Sequence, residues 1–465
     1  PLRDTQAFAP PAAVYDRVLV FYGGKGDYVK LGDYQTLDTA FRVTNQFLTL
    51  PTGTAALNLG ADYRIVSLAD YNQQLRYADG SLATPPDRWI GRTLQHYSFF
   101  GELQAPVFPM ERLPSWLRSI DGDLALRYVA ASSATESNFA PTLGLKVGLP
   151  GGFAFRGSFT TVNRFPTPQL SHNDSTGPGT GIELAQIFDP LRSETYNVPT
   201  VAVLAPDLRT EAAITQTVGV IFQRGRDRHL RISLDFVDTH KTDELIGLTP
   251  QATVNLENVY PKRVRREAPV PGDPNSVGLI TSVLVGPVNA ASRHSQDWHL
   301  SADYSMSKCL GGTLEFYGRM VYFQNYEVQL VPNSPPVDEL AAPDGAVPGI
   351  LRYRANFGAE WSGRRLVFGL DGHYFHERIL PLAEQATQGS DHIEPFWQFD
   401  AYLQSDLTRW MPWKNSRYGL RGQLRINNIF GTGFPRYVND PSGAGVQPYG
   451  DWRNRTYSLS LTATF

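Results

Sequence analysis

The chain alternates between apolar and polar positions over long stretches, and its last eleven residues do so without a break. In "RTYSLSLTATF", residues 455–465, Tyr457, Leu459, Leu461, Ala463 and Phe465 share one parity, and Thr456, Ser458, Ser460, Thr462 and Thr464 share the other. Side chains point to opposite faces of a strand at successive residues, so this is an amphipathic β-strand. "YGLRGQLRINNIF" sets Leu420, Gly422, Leu424 and Ile426 against Arg421, Gln423, Arg425 and Asn427. "WQFDAYLQSDL" sets Phe399, Ala401, Leu403 and Leu407 against Gln398, Asp400, Gln404 and Asp406. In "LRYRANFGAEW", Leu351, Tyr353, Ala355, Phe357, Ala359 and Trp361 oppose Arg352, Arg354, Asn356 and Glu360. "TLEFYGRMVYF" and "HLRISLDFV" repeat the scheme, with Glu315 and Arg319, then Arg231 and Asp235, on the polar side. Strands of about ten residues exceed the five or six usual in soluble sheets and match the roughly 9–11 of a tilted membrane strand.

Arg, Gln, Asn, Asp and Tyr recur on the polar parity, while the other parity is almost uncharged. That combination predicts a barrel with an apolar exterior and a wet, charged interior. The connections agree. Residues 431–452, 379–395, 326–350, 241–292 and 165–210 are long, and they alternate with short links at 408–416, 362–365, "SKCLGG", "RGRDR" and "LPGG". Outer-membrane barrels segregate loops in this way, with short periplasmic turns and long extracellular loops. An open sheet edge cannot stand in lipid, so the last strand is expected to close the barrel with its C-terminus in the periplasm.

Composition adds three constraints. No apolar run approaches the roughly 20 residues of a membrane helix, although 42% of the residues are hydrophobic. Aromatic residues make up 12%, which suits strands and the girdles of membrane barrels. A net charge of −3 provides no global field for nucleic acid, and none is expected as a partner. The single cysteine, Cys309, allows no intrachain disulfide and reads as a turn residue. "PLRDTQAFAPPAAVY" lacks the basic start and apolar core of an export signal.

Several segments together resemble the TonB-dependent outer-membrane receptors. The stretch "GLRGQLRINNIFGTGFPRYV" leading to "YGDWRNRTYSLSLTATF" is similar to the end of that family. Upstream, "LPTGTAALNLGADYR" (50–64), "GELQAPVF" (101–108) and "FRGSFTTVNRFPTP" (155–168) resemble its strand ends and hairpins. The resemblance runs from about residue 50 to the end. It implies an all-β fold, a transmembrane antiparallel β-barrel in which this chain supplies the last fifteen or so of 22 strands. It implies a receptor in the outer membrane of a Gram-negative bacterium, taking up a scarce solute of the siderophore, cobalamin or oligosaccharide class with energy from TonB. Its expected partners are outer-membrane lipid, the small solute, the barrel-assembly machinery and, through an N-terminal plug region, the TonB complex.

No plug domain or TonB-interaction segment is recognisable in the sequence, so energised transport is not expected of the chain alone. About 29 residues per strand, scaled to 22 strands, gives roughly 640 for a whole barrel. Residues 1–34 are expected to form an extracellular loop or partial strand, and 35–465 the C-terminal part of the barrel. "AVYDRVLVFYGG" (13–24) is a weak candidate for a sixteenth strand. The competing reading is a self-contained passive porin of 14–16 strands.

Individual candidates follow from this frame. The terminal aromatic and its alternating apolar neighbours, Tyr457, Leu459, Leu461 and Phe465, resemble the assembly signal of outer-membrane barrels. Arg352, Arg354, Arg421 and Arg425 are candidate lumenal contacts to a plug. "HYFHE" (373–377) resembles a zinc motif, but on a strand residues 373 and 376 face opposite ways. His373 is expected on the lumenal face with Asp371, and His376 near the extracellular end. "KRVRRE" (262–267) reads either as an anion site or, more simply, as a solvated basic face. "GPGTG" and "GGKGD" read as loop tips. Neither a nucleophile motif nor a metal or cofactor site emerges, so an enzyme is not expected.

Overall fold

The structure is a computed structural model that describes residues 34–69, 71–73, 87–89, 92–132, 137–166, 183–202, 208–269, 273–330, 334–343, 349–408, 419–438, 445–446, 449–450 and 453–464. The possible strand at 13–24, the two glycine-rich tips and Phe465 lie outside these residues.

Fifteen strands form one continuous antiparallel meander. They are β1 (Tyr34–Leu50), β2 (Gly53–Leu68), β3 (Arg92–Pro106), β4 (Ser119–Ala131), β5 (Ser137–Gly148), β6 (Phe153–Arg164), β7 (Glu211–Arg224) and β8 (Arg228–Gly247). The series continues with β9 (Pro287–Cys309), β10 (Gly312–Gln329), β11 (Tyr353–Ser362), β12 (Leu366–Phe375), β13 (Phe396–Asp406), β14 (Gly419–Asn427) and β15 (Thr456–Thr464). Residues Val337–Asp338 pair with the far end of β10.

The alternation places the same chemistry in register across the whole sheet. Val43 lies opposite Leu59, Leu59 opposite Gly101 and Gly101 opposite Leu126. Leu234, Leu300, Met320 and Ala355 form another such row, and Phe368, Leu403, Leu424 and Leu459 a third. Among the described residues this face is bare of protein: Phe41 is 68% exposed and Leu459 72%. So large an apolar surface requires a non-aqueous solvent, and on this antiparallel sheet that solvent is lipid. An aromatic row crosses its upper margin. Phe236, Trp298, Tyr322 and Tyr353 lie in one register row, and Tyr374 meets Trp397 with ring centroids 4.3 Å apart. Aromatic rings of this kind mark the membrane–water interface.

Links at 51–52, 149–152, 225–227, 310–311 and 363–365 gather at one end of the sheet, and the long connections at the other. The segregation expected from sequence is present in the main, with twelve-residue links at 107–118 and 407–418 at the short-turn end and a five-residue link, 132–136, at the other. The long connections are shorter than the sequence suggests, because three strands run past the lipid band. β8, β9 and β10 contain 20, 23 and 18 residues, so both ends of 241–292 and the start of 326–350 are strand. Their outward parity turns polar there, with Asp238 opposite Gln296 and His240 opposite His294.

The expected closure at β15 is not found among the described residues, where β15 pairs only with β14 and β1 only with β2. Fifteen antiparallel strands leave the two edges running in the same direction, so β1 and β15 cannot join each other in an antiparallel ladder.

The lipid assignment makes a quantitative prediction. Leu403→Arg, on the apolar face, is expected to cost about 2–4 kcal/mol, whereas Gln404→Arg, on the opposite face, costs far less. Urea unfolding of the two variants in lipid vesicles checks the difference.

Candidate functional site: the charged wall and the extracellular loops

The polar parity of the strands builds a continuous charged wall. In its first third, Arg127 donates to Asp62 at 3.1 Å and to Ser98 at 2.9 Å. The Phe100 ring lies between the guanidiniums of Arg42 and Arg127, 5.8 and 6.0 Å from its centroid. It lies flat because Gly60 faces it. A Cβ at Gly60 would sit 2.3 Å from the ring.

Further along, Arg156 grips Asp235 with two hydrogen bonds, 2.7 and 2.6 Å, the paired geometry that makes guanidinium–carboxylate contacts strong. Arg319 donates to Asp303. These four line a recess of about 690 Å³ together with Arg231, Arg354 and His299. Arg231 and Arg354 make no ion pair among the described residues, so the recess carries surplus positive charge. Near the short-turn end, Tyr317 donates to Asp371 at 2.7 Å, and Arg425 reaches the same carboxylate at 3.4 Å. Tyr402 donates to Glu360 and lies flat on Gly369, where a Cβ would meet its ring at 2.2 Å.

The four arginines singled out from sequence divide between two regions. Arg354 joins the recess, while Arg421 and Arg425 sit on β14 opposite Thr462 and Ser458. Arg352 immediately precedes β11, and its carbonyl accepts from the Phe323 amide at 2.8 Å. Arg156 and the aromatic–glycine contacts went unremarked, although the same parity rule identifies Arg156. His373 shares its face with Asp371, as expected, bonding Asn356 at 2.8 Å. His376 follows β12 and stacks on Tyr353 at 3.9 Å. The two histidines do not converge, and no cluster of metal-ligating side chains occurs among the described residues. The Cys309 carbonyl accepts from Trp361 at 3.1 Å within the tight turn.

At the long-loop end, strands within 183–202 and 264–285 form a second sheet. Its strands run in the order 264–266, 280–285, 194–202 and 183–189, with a parallel pair in the middle. Ile187, Val198, Val254, Val264, Ile280 and Val283 form its core, beneath a short helix, α1 (Pro250–Asn255), capped by Thr249. Here the basic run "KRVRRE" divides: Lys262 and Arg265 are solvated, as one sequence reading expects, and Arg263 and Arg266 are engaged by the fold. Arg266 is largely covered, bonding the fully buried Asp189 at 2.7 and 2.9 Å and Glu257 at 2.8 and 2.7 Å. Arg263 donates to the carbonyls of Gly286 and Pro287. The run is chiefly a structural clamp, with Lys262 and Arg265 on the surface.

Burial alone would raise the Asp189 carboxyl. Hydrogen bonds from Arg266 and Tyr196, the charge of Arg266 and the Leu191 amide outweigh it and hold the group below the usual range.

The remaining loops interlock. The Arg378 guanidinium lies 4.2 Å above the Tyr437 ring, and Tyr437 donates to Glu384 on α2 (Leu382–Gln388) at 3.0 Å. Tyr449 donates to the Gly349 carbonyl, tying a third loop in. Both tyrosines therefore brace loops. Beneath them, Lys241 bonds Glu211 and Glu244 at 3.2 and 3.1 Å, and Arg293 reaches Glu244 at 2.8 Å. These pairs fasten the extended parts of β7, β8 and β9.

An apolar belt, a charged inner wall, short turns at one end and braced loops at the other define an outer-membrane β-barrel protein. The TonB dependent receptor-like β-barrel family model matches residues 3–429, and the chain belongs to that family. The family consists of receptors and transporters rather than enzymes, and the protein is one of the Gram-negative outer membrane. No curated protein matches the chain by sequence.

Similar solved structures include the ferric enterobactin receptor PfeA of Pseudomonas aeruginosa in complex with enterobactin, at 12% identity and TM-score 0.59. The siderophore receptor PirA of Acinetobacter baumannii, at 13% and 0.56, and the outer membrane transporter YddB of Escherichia coli, at 11% and 0.59, are also similar. Each comparison covers 93% of this chain and 54–55% of the other, so the chain spans about half the length of these proteins. At such identities the likeness is one of fold.

The Arg266 clamp carries a stability prediction. Arg266→Met leaves Asp189 buried without its partner, a loss of about 3–5 kcal/mol for broken buried pairs, and protease added to intact cells is expected to nick the 183–285 region. The depressed Asp189 carboxyl favours the folded loop sheet above the ordinary carboxylate range. That contribution is lost as pH falls through the range, and cleavage at graded acid pH reads it.

Proposed function

We propose that the chain is the wall and loop platform of an uptake receptor for a scarce small solute, energised through TonB when joined to a plug. The siderophore class is favoured, with cobalamin and oligosaccharides as the alternatives, because PfeA and PirA are siderophore receptors. Solute is captured among the braced extracellular loops, and the charged wall solvates its path and seats the plug. Arg352, Arg354, Arg421 and Arg425 are the proposed plug contacts on that wall. Tyr457, Leu459, Leu461 and Phe465 are the proposed signal to the barrel-assembly machinery, with outer-membrane lipid around the belt.

The observation carrying this reading is the fifteen-strand charged wall whose two edges run the same way. An antiparallel barrel that includes these fifteen strands needs an odd number of others, which 22 satisfies. The passive-porin alternative requires an even, closed set with β15 paired, and it finds less support in the family match.

In the intact receptor, Arg354→Glu combined with Arg425→Glu is expected to lower ferric siderophore uptake about tenfold, equivalent to about 1.4 kcal/mol, at unchanged surface abundance. Radiolabelled iron uptake with and without TonB measures this. Uptake indifferent to TonB, with steady conductance in a planar bilayer, would replace the receptor with the porin.

A further inference from the structure

Most links at the short-turn end are clipped. The connection from β3 to β4, "VFPMERLPSW" with its flanks (107–118), runs to twelve residues, as does 407–418 between β13 and β14. It is also firmly built. Val107 donates its amide to Ile120 at 2.7 Å, Arg112 to Pro109 at 3.0 Å, Leu117 to Pro114 at 2.9 Å, and Arg118 to Gly148 at 2.8 Å. These bonds fix both ends of the link and the turns at its two prolines.

The link nevertheless presents large apolar side chains outward: Trp116 is 65% exposed, Phe108 52% and Val107 41%. Soluble surfaces rarely gather two aromatics and a valine on one such short link.

This surface continues the lipid-facing belt. Val107 extends the outward parity of β3, after Phe99, Gly101 and Leu103, and it packs over Gly122 of β4, where a Cβ would meet it at 3.1 Å. Phe108 and Leu113 line a recess of about 380 Å³ with Leu50 and Ile120, the lowest apolar positions of β1 and β4. Arg112 and Arg118 are exposed on the same link.

From this geometry we infer that residues 107–118 form an interfacial anchor in the periplasmic leaflet of the outer membrane. Trp116, Phe108 and Val107 enter the boundary between headgroups and acyl chains, and Arg112 and Arg118 meet lipid phosphates. The partner is phospholipid. Amphipathic rings with flanking guanidiniums suit that depth, where an apolar body and a polar tip are satisfied together. The inference adds an attachment that the receptor reading does not contain, and it rests on the belt being lipid-facing.

Depth measurement by spin labelling tests it. In the intact protein in outer membranes, with Cys309→Ser as background, a nitroxide is placed at Trp116→Cys and, separately, at Phe108→Cys. References are Leu124→Cys on the belt and Asp227→Cys in the β7–β8 turn. The expected result is an oxygen-to-nickel-chelate collision ratio several-fold above that at 227 and approaching that at 124, at both labelled positions. Ratios equal to that at 227 would show an aqueous loop and overturn the anchor. Protection from both reagents would show a protein covering the link and overturn it equally. The label at 124 separates the two levels: if it reads lipid while 116 and 108 do not, the barrel reading stands and only the anchor fails.

Discussion

A peptide group in hydrocarbon has no water to bond, and each unpaired one costs several kcal/mol. This constraint orders the whole molecule. It requires long strands laddered without interruption, and it leaves the side chains to alternate between two solvents. The apolar rows that cross every strand and the charged rows behind them follow from that single backbone rule. So does the concentration of irregular structure at the two ends, where water or protein can satisfy a freed amide.

Within the wall, the same economy governs polar groups. Carboxylates such as Asp235 and Asp371 are held by guanidiniums or phenols reaching across an intervening strand. Bulky rings lie down on glycines, so the inner surface stays low in relief. Uncommitted cations, Arg231 and Arg354, stand within one recess. A surface with paired charges, flattened rings and a local cationic surplus is chemically suited to receiving another body closely.

The wall was legible in the sequence because a two-residue period is a local signal. Leu424 and Arg425 reveal their faces from neighbours alone. The loop sheet was illegible for the opposite reason. Thr200 pairs with Val283 across more than eighty residues, and in parallel, so nothing near either residue announces the partner. Arg266 resembled a solvated cation because its burial depends on Asp189, far away in sequence. The upper parts of β8 and β9 were missed because outward positions there, Asp238 and His240, meet water rather than lipid. A period defined by hydropathy stops at the headgroups even when the strand does not.

The unequal strands also give the molecule a direction. At about 3.3 Å per residue, the 23 residues of β9 are far longer than the nine of β14 or β15. β8, β9 and β10 therefore rise past the lipid band as a palisade along one sector of the sheet. A molecule arriving from outside meets laddered strand on one flank and braced loop on the other, so its route of approach is lopsided.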